Sequence, residues 1–297
     1  MRKSNAAALV AAAAYVLFVT DGFAAYTHAG ALFSDGAVHN VSSGSISGGP
    51  SVDSGANYLS GIELDNGTLN LSGSAVVTGG NAANSPAANY LAGLLTYGGV
   101  ANISGGSLSG GSATNNSFAD YLYGVEAVGG TVNIFGGNIS GGTSLNNSGA
   151  DYFFGVSSVN STINIFGGNI SAGSATGGPV ANHFYAIEAV TGTINIFGGN
   201  ISAGSAMGNS FVDTFTGIDA VSGTVKVMGT GFNLPYGPIA ATGGILTGTL
   251  QDGSPLNLSF SQIHSGQITL VQAPEPGSAA MSALGLFCVA LARRLRR

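Results

Sequence analysis

The sequence predicts an all-β chain wound as a parallel β-helix, a solenoid of about six to seven coils with a repeat of 31 residues. Three observations carry this. The stretch TVNIFGGNIS at Thr131 returns as TINIFGGNIS at Thr162 and again at Thr193, with a weaker copy, TVKVMGTGF, at Thr224. Earlier copies start at Val100, Thr68 and Val38, the last two with a one-residue slip each way. Apolar residues alternate within each copy, and paired glycines follow, which is the pattern of short strands joined by tight corners.

In TVNIF, Val132 and Ile134 face one way and Thr131, Asn133 and Phe135 the other, so the segment reads as a strand with one buried face. Gly136 and Gly137 supply a corner, and NIS gives a second short strand whose Ile139 matches Leu108, Ile170 and Ile201. A polar stretch of variable sequence follows (TSLNNSG, SATGGPV, SAMGNSF) and reads as a loop. The third strand is ADYLYGVEAV and its counterparts ADYFFGVSSV, ANHFYAIEAV and VDTFTGIDAV. Stacking at ~4.8 Å per coil would align Val132, Ile163, Ile194 and Val225 in one apolar column. Ile134, Ile165, Ile196 and Val227 form another, and Leu122, Phe153, Phe184 and Phe215 a third. Six steps give a rod roughly 29 Å long. Propeller blades need longer repeats with four strands, and a β-sandwich needs hairpin turns that are scarce here.

The organisation along the chain is four segments: residues 1–25, repeats over 26–228, a segment 229–272 that leaves the repeat, and 273–297. In the third, Asp252 and Gly253 suggest a hairpin between Thr247–Leu250 and Leu256–Phe260, read as a cap over the last coil.

The N-terminus has Arg2 and Lys3, an apolar run from Ala6 to Val19, and small residues at Ala24 and Ala25, the three regions of a signal peptide. The C-terminus has Pro274, Glu275 and Pro276, an apolar run from Gly277 to Ala292, and then Arg293, Arg294, Arg296 and Arg297. These last two dozen residues resemble the PEP-CTERM sorting signal. The resemblance implies export by the general secretion machinery and recognition by an exosortase at the inner membrane of a Gram-negative bacterium that makes exopolysaccharide. It also implies cleavage near the motif and release to the cell surface or extracellular matrix. An apolar run of about 16 residues spans a ~30 Å hydrocarbon core only marginally, and flanking arginines favour the cytoplasmic side. A permanent membrane anchor through this short helix is the alternative.

Between the termini, Lys226 stands alone against eleven acids: Asp35, Asp53, Glu63, Asp65, Asp120, Glu126, Asp151, Glu188, Asp213, Asp219 and Asp252, so the body carries 1 − 11 = −10. Nucleic acid is excluded as a partner, because neutralising phosphates requires several Lys or Arg. The sole cysteine, Cys288, lies in the C-terminal run, so the body has neither disulfides nor thiol chemistry.

Two columns carry acids: Asn57, Asn89, Asp120, Asp151, Asn182 and Asp213; and Glu63, Leu95, Glu126, Ser157, Glu188 and Asp219. They read as solvated columns, with calcium as a competing reading. The column Asn70, Asn102, Asn133, Asn164 and Asn195 reads as an outward amide ladder that Lys226 ends. If Leu122 and Val125 point inward, Tyr121, Tyr123, Tyr152, Phe154 and Tyr185 form an outward stripe on which sugar rings could stack. The alternative is that these rings fill the core. No catalytic residue, metal site or cofactor is assigned: the four histidines are scattered, and the acids repeat in columns instead of forming a pair beside a groove. The expectation is a structural or adhesive protein of the cell surface or exopolysaccharide matrix. A carbohydrate-binding protein, or a lyase or glycosidase, is the alternative.

Overall fold

The computed structural model describes residues 26–50, 57–85, 89–116, 120–149, 151–179, 182–208 and 213–274. The expected signal peptide and most of the sorting signal, including Glu275, Pro276 and the four C-terminal arginines, lie outside these residues. The described residues form an all-β solenoid of about six turns. None of their elements is a helix long and apolar enough to cross a membrane.

Each turn opens with a long strand. Tyr26–Phe33, Asn57–Leu64, Asn89–Thr96, Tyr121–Ala127, Tyr152–Ser158, His183–Ala189 and Thr214–Ala220 pair in parallel, each with the next. A second stack repeats Thr131–Ser140 in the same way, pairing Val132 with Ile163, Ile163 with Ile194 and Ile194 with Val225. The two slips fall where the sequence places them, since Val38 pairs with Thr68 and Thr68 with Val100.

The interior divides into two lobes. The larger is filled by Val125, Ala127, Val132, Ile134 and Ile139 and their copies in neighbouring coils. The smaller contains Leu122, Phe153 and Phe184 against Ala113, Ala172 and Ala175. A glycine forms the waist between them: a Cβ at Gly124 would lie 2.6 Å from the carbonyl oxygen of Gly155 and 2.6 Å from Ile139 Cγ2, well inside contact distance. The same contact recurs at Gly155, where the obstacles are the Ala186 carbonyl oxygen and Ile170.

Two features depart from the sequence reading. The variable polar segment is not merely a loop. Asn81–Ala83, Ser112–Thr114, Thr143–Leu145, Ser174–Thr176 and Ser205–Met207 form a separate five-stranded parallel sheet along the small lobe. Small side chains fit there because the lobe is narrow, and Ser, Ala and Thr give little apolar alternation to reveal a strand.

The C-terminal segment, for its part, rejoins the stack. Gly243–Leu250 and Pro255–Gln262 make the expected antiparallel hairpin. Its second strand then pairs in parallel with the last long strand at Ile218 and Phe260, and Gln267–Gln272 pairs in parallel with Thr224–Thr230. Phe215 lies just beyond that cover and is 39% exposed, unlike Phe153 and Phe184 below it.

Ile165 is fully buried in the large lobe, between the second-stack strands on either side. Ile165→Asp places an unpaired charge there, so the chain is expected to lose about 4 kcal/mol or more. Ile165→Val should cost only about 1 kcal/mol. Denaturant melts of the two variants followed by circular dichroism test this, and equal midpoints would mean Ile165 is not in the core.

Candidate functional site

Three features of the rod bear on function: a buried polar ladder, a set of stacked aromatic columns and a groove at the Gly-Gly corner.

The polar ladder closes the small lobe where each coil turns back into its long strand. Asn89, Asp120, Asp151 and Asn182 are all buried, the first three fully. The reading of this column as solvated is therefore corrected. The reason is backbone satisfaction: each side chain accepts the N–H of its equivalent one coil earlier. Asn89 N donates to Asp120 Oδ1 at 3.1 Å, Asp120 N to Asp151 Oδ1 at 3.1 Å, and Asp151 N to Asn182 Oδ1 at 3.0 Å. Asn182 N donates in turn to Asp213 Oδ1 at 2.7 Å. A loop buried inside a solenoid has no water for these donors, and short Asx side chains supply the acceptors.

A second Asn column binds the two acids together. Asn147 Nδ2 lies 2.9 Å from Asp120 Oδ2 and 3.0 Å from Asp151 Oδ2, the place between two carboxylates that a bridging cation would take. Asn116 Nδ2 donates to Asp120 Oδ2 at 2.8 Å, and Ser144 Oγ donates to Asp151 Oδ2. The Asn147 amide cannot be reversed without cost, because its Oδ1 accepts the Asn116 N–H at 2.9 Å. Burial pushes Asp120 up to about 6 and, with the charge of Asp120 adding to it, Asp151 up to about 7.

The other acid column runs on the outer face of the long strands. Glu188 and Asp219 are 2% and 5% exposed and pair in register, so the reading of this column as solvated is corrected at these two positions as well. Burial and then the neighbouring Asp219 raise Glu188 to about 8, while Ser157 Oγ donates to it at 2.9 Å. Burial raises Asp219 to about 6.

The expected tyrosine stripe forms a cluster distinct from both lobes, on the opposite side of the long strands from Leu122 and Val125. Its members Tyr121, Tyr123, Phe154 and Tyr185 are 7% exposed or less, and Tyr152 is half-buried. The rings lie flat on one another. Tyr58, Tyr90, Tyr121, Tyr152 and His183 form one column with centroids 4.7–5.0 Å apart and planes within 10° of parallel. Tyr123, Phe154 and Tyr185 form a second. Each inner ring thus has both faces covered by its neighbours in the column, and those are the faces a sugar would need.

On the second stack, the amide ladder is complete: Asn70, Asn102, Asn133, Asn164 and Asn195 each donate to the preceding Asn at 2.8–3.0 Å, starting from Asn40. Beyond it lies a groove of about 670 Å³, floored by Gly106, Gly137, Gly168 and Gly199 and walled by Asn138, Asn169 and Asn200. Gly137, Gly168 and Gly199 hold φ near +100°, so side chains are disfavoured there and the floor stays bare. Asp252 closes one end by accepting the Gly199 N–H at 2.8 Å. The outward column Phe135, Phe166 and Phe197 precedes these glycines, with Phe135 and Phe166 exposed by 53% and 39%. This column did not emerge as a candidate from the sequence, although three identical FGGN copies with outward parity contain the signal.

No family model, curated protein or solved structure matches the chain.

Acids whose folded-state pKa is raised bind protons more tightly folded than unfolded. Their contribution to stability is therefore fully present below about pH 4 and is lost as pH rises through the folded values near 6 and 7, by up to about 1.4 kcal/mol per pH unit for each such group. Asp151→Asn should flatten this slope, at a cost of about 1–3 kcal/mol because the new Nδ2 faces the Asn147 Nδ2 donor; Asn182 shows that an amide can serve the column's backbone bond. Urea midpoints between pH 4 and 8 measure it; parallel slopes for the two proteins would show that Asp151 is not responsible.

Proposed function

We propose that the chain is an exported structural or adhesive component of a bacterial cell surface or exopolysaccharide matrix, sorted by an exosortase through Pro274–Arg297. The observation that carries the structural part is the internal saturation of the rod. The amides of Asn40 to Asn195 bond along the axis, aromatic rings stack on their own copies, and the small-lobe acids are held by Asn side chains. Groups spent on the stack stiffen a rod. They do not converge on a substrate. The sorting part rests on the terminal sequence alone.

A lyase or glycosidase fits less well. Asp120 and Asp151 are fully buried in the small lobe, beyond the reach of a polysaccharide, and His183 lies within a ring column. Carbohydrate binding keeps one supporting feature, the bare-floored groove. Its amides suit a neutral, hydroxyl-rich chain, while the net negative body disfavours uronates.

Deleting Pro274–Arg297 should move the protein away from the surface or matrix fraction, and unchanged display would reject the sorting assignment. A glycan-retention assay with a reducing-end readout separates the alternatives. Retention without cleavage that weakens in Asn169→Ala, at the groove wall, selects the groove reading, and cleavage selects an enzyme.

A further inference from the structure

Among the described residues, one end of the rod is covered over two of its strand stacks and the other end is bare. At the C-terminal end the hairpin strand Pro255–Gln262 and then Gln267–Gln272 cover the last long strand and the last second-stack strand. At the N-terminal end, Tyr26–Phe33, Val38–Val41 and Ser45–Ser47 each pair on one side only, with Asn57–Leu64, Thr68–Leu71 and Val76–Thr78. Among the described residues their outer edges have no partner strand, which leaves three rows of backbone donors and acceptors around one cross-section.

The core is open there too. Ala31, Phe33, Val41 and Ile46 are only half-buried, whereas Ile62, Leu64, Leu71 and Val77, their register partners one coil in, are fully buried. On the outside of the same coil, Leu32 and Val38 are 58% and 62% exposed. Among the described residues the amide ladder also begins at this coil, where Asn40 accepts from Asn70. Charge is nearly absent, since the only acid between Tyr26 and Ser47 is Asp35, held by His39 at 2.7 Å.

We propose that this end face binds a second copy of the chain, head to head, about a two-fold axis across the rod. A single edge strand would accept many partners. Three edges set around an apolar centre match only a surface with the same layout, and another such coil end provides it. Head-to-tail stacking is disfavoured because the hairpin and Gln267–Gln272 occupy the long-strand and second-stack edges of the opposite end, where only the short strands Asn200–Ser202 and Ser205–Met207 still pair on one side, so the assembly closes as a dimer instead of growing into a fibre. The two-fold lays Tyr26–Phe33 antiparallel on itself and sets Val38–Val41 against the partner copy's third edge. Buried area alone does not set affinity, and the dimer is expected to dissociate on dilution through the micromolar range.

The test uses the full chain in mild detergent, with its mass followed by light scattering across that range. The expected result is a particle of twice 29.1 kDa that halves on dilution. Val41→Lys should yield the single-chain mass at every concentration with an unchanged melting transition. Should that variant melt early, Val38→Lys at an exposed position of the same edge replaces it. Ala29→Cys, near the middle of the longest edge, should form an interchain disulfide under mild oxidation in a Cys288→Ser background. A single-chain mass at all concentrations overturns the proposal and points to residues 1–25 as the cover. A dimer that survives the edge substitutions but is lost with Pro274–Arg297 overturns it equally, because the contact then lies in the tail.

Discussion

Everything in this molecule depends on each strand pairing in parallel with its copy about thirty-one residues away. That pairing fixes the coil spacing near 4.8 Å, and the spacing turns every sequence position into a column. Apolar columns become two continuous cores, and asparagines become ladders. No single coil has enough interior to stand alone, so stability accrues through interfaces between neighbours. The near-identity of the TINIFGGNIS copies follows: a residue in the middle of a column must fit the one below it and the one above it.

The same constraint explains why acids are found inside. A coil must turn back on itself, and where it does so the backbone N–H groups of Asn89, Asn116 and Asp120 enter the small lobe, where water does not reach. Asx side chains satisfy them. Where the residue is Asp instead of Asn, the second oxygen needs donors of its own, and Asn116, Asn147 and Ser144 provide them. Asp120 and Asp151 are still neighbours in the ladder, which is costly if both are charged, and protonating one of them near neutral pH relieves the repulsion. The column mixes amide and acid because its structural task needs only one oxygen, and either side chain brings it.

The columns were legible in the sequence because the 31-residue step and the alternation in TVNIF are strong, local and repeated. The amide ladder was legible for the same reason, and so was the hairpin at Asp252-Gly253. The burial of Asp120 and Asp151 was not, because Asn, Asp, Ser and Gly in a variable segment signal a solvated loop, and only the closure of the coil turns that loop inward. The fourth strand stack escaped for a related reason: Ala113, Ser144 and Ala175 are too small to mark a face. The tyrosine columns show a different limit. Alternation separates their side of the strand from that of Leu122, but it does not disclose that their rings would cover one another's faces.

A solenoid has to solve its two ends separately from its middle, and this one does so unequally. The segment that abandons the repeat at Gly229 ends the rod by lending it two more strands and then leaves at Gln272, two residues before Pro274. The proposed sorting signal therefore emerges directly from the end that these strands cover. On the proposed route that end faces the membrane while the tail is attached, and the open coil at Tyr26–Ser47 points away from it. Contacts with other molecules then fall to the open end and to the flanks, where the Gly-Gly groove and the exposed Phe135 and Phe166 lie. The polarity of the stack, set by where the repeat stops, thus decides which surfaces the rod offers outward.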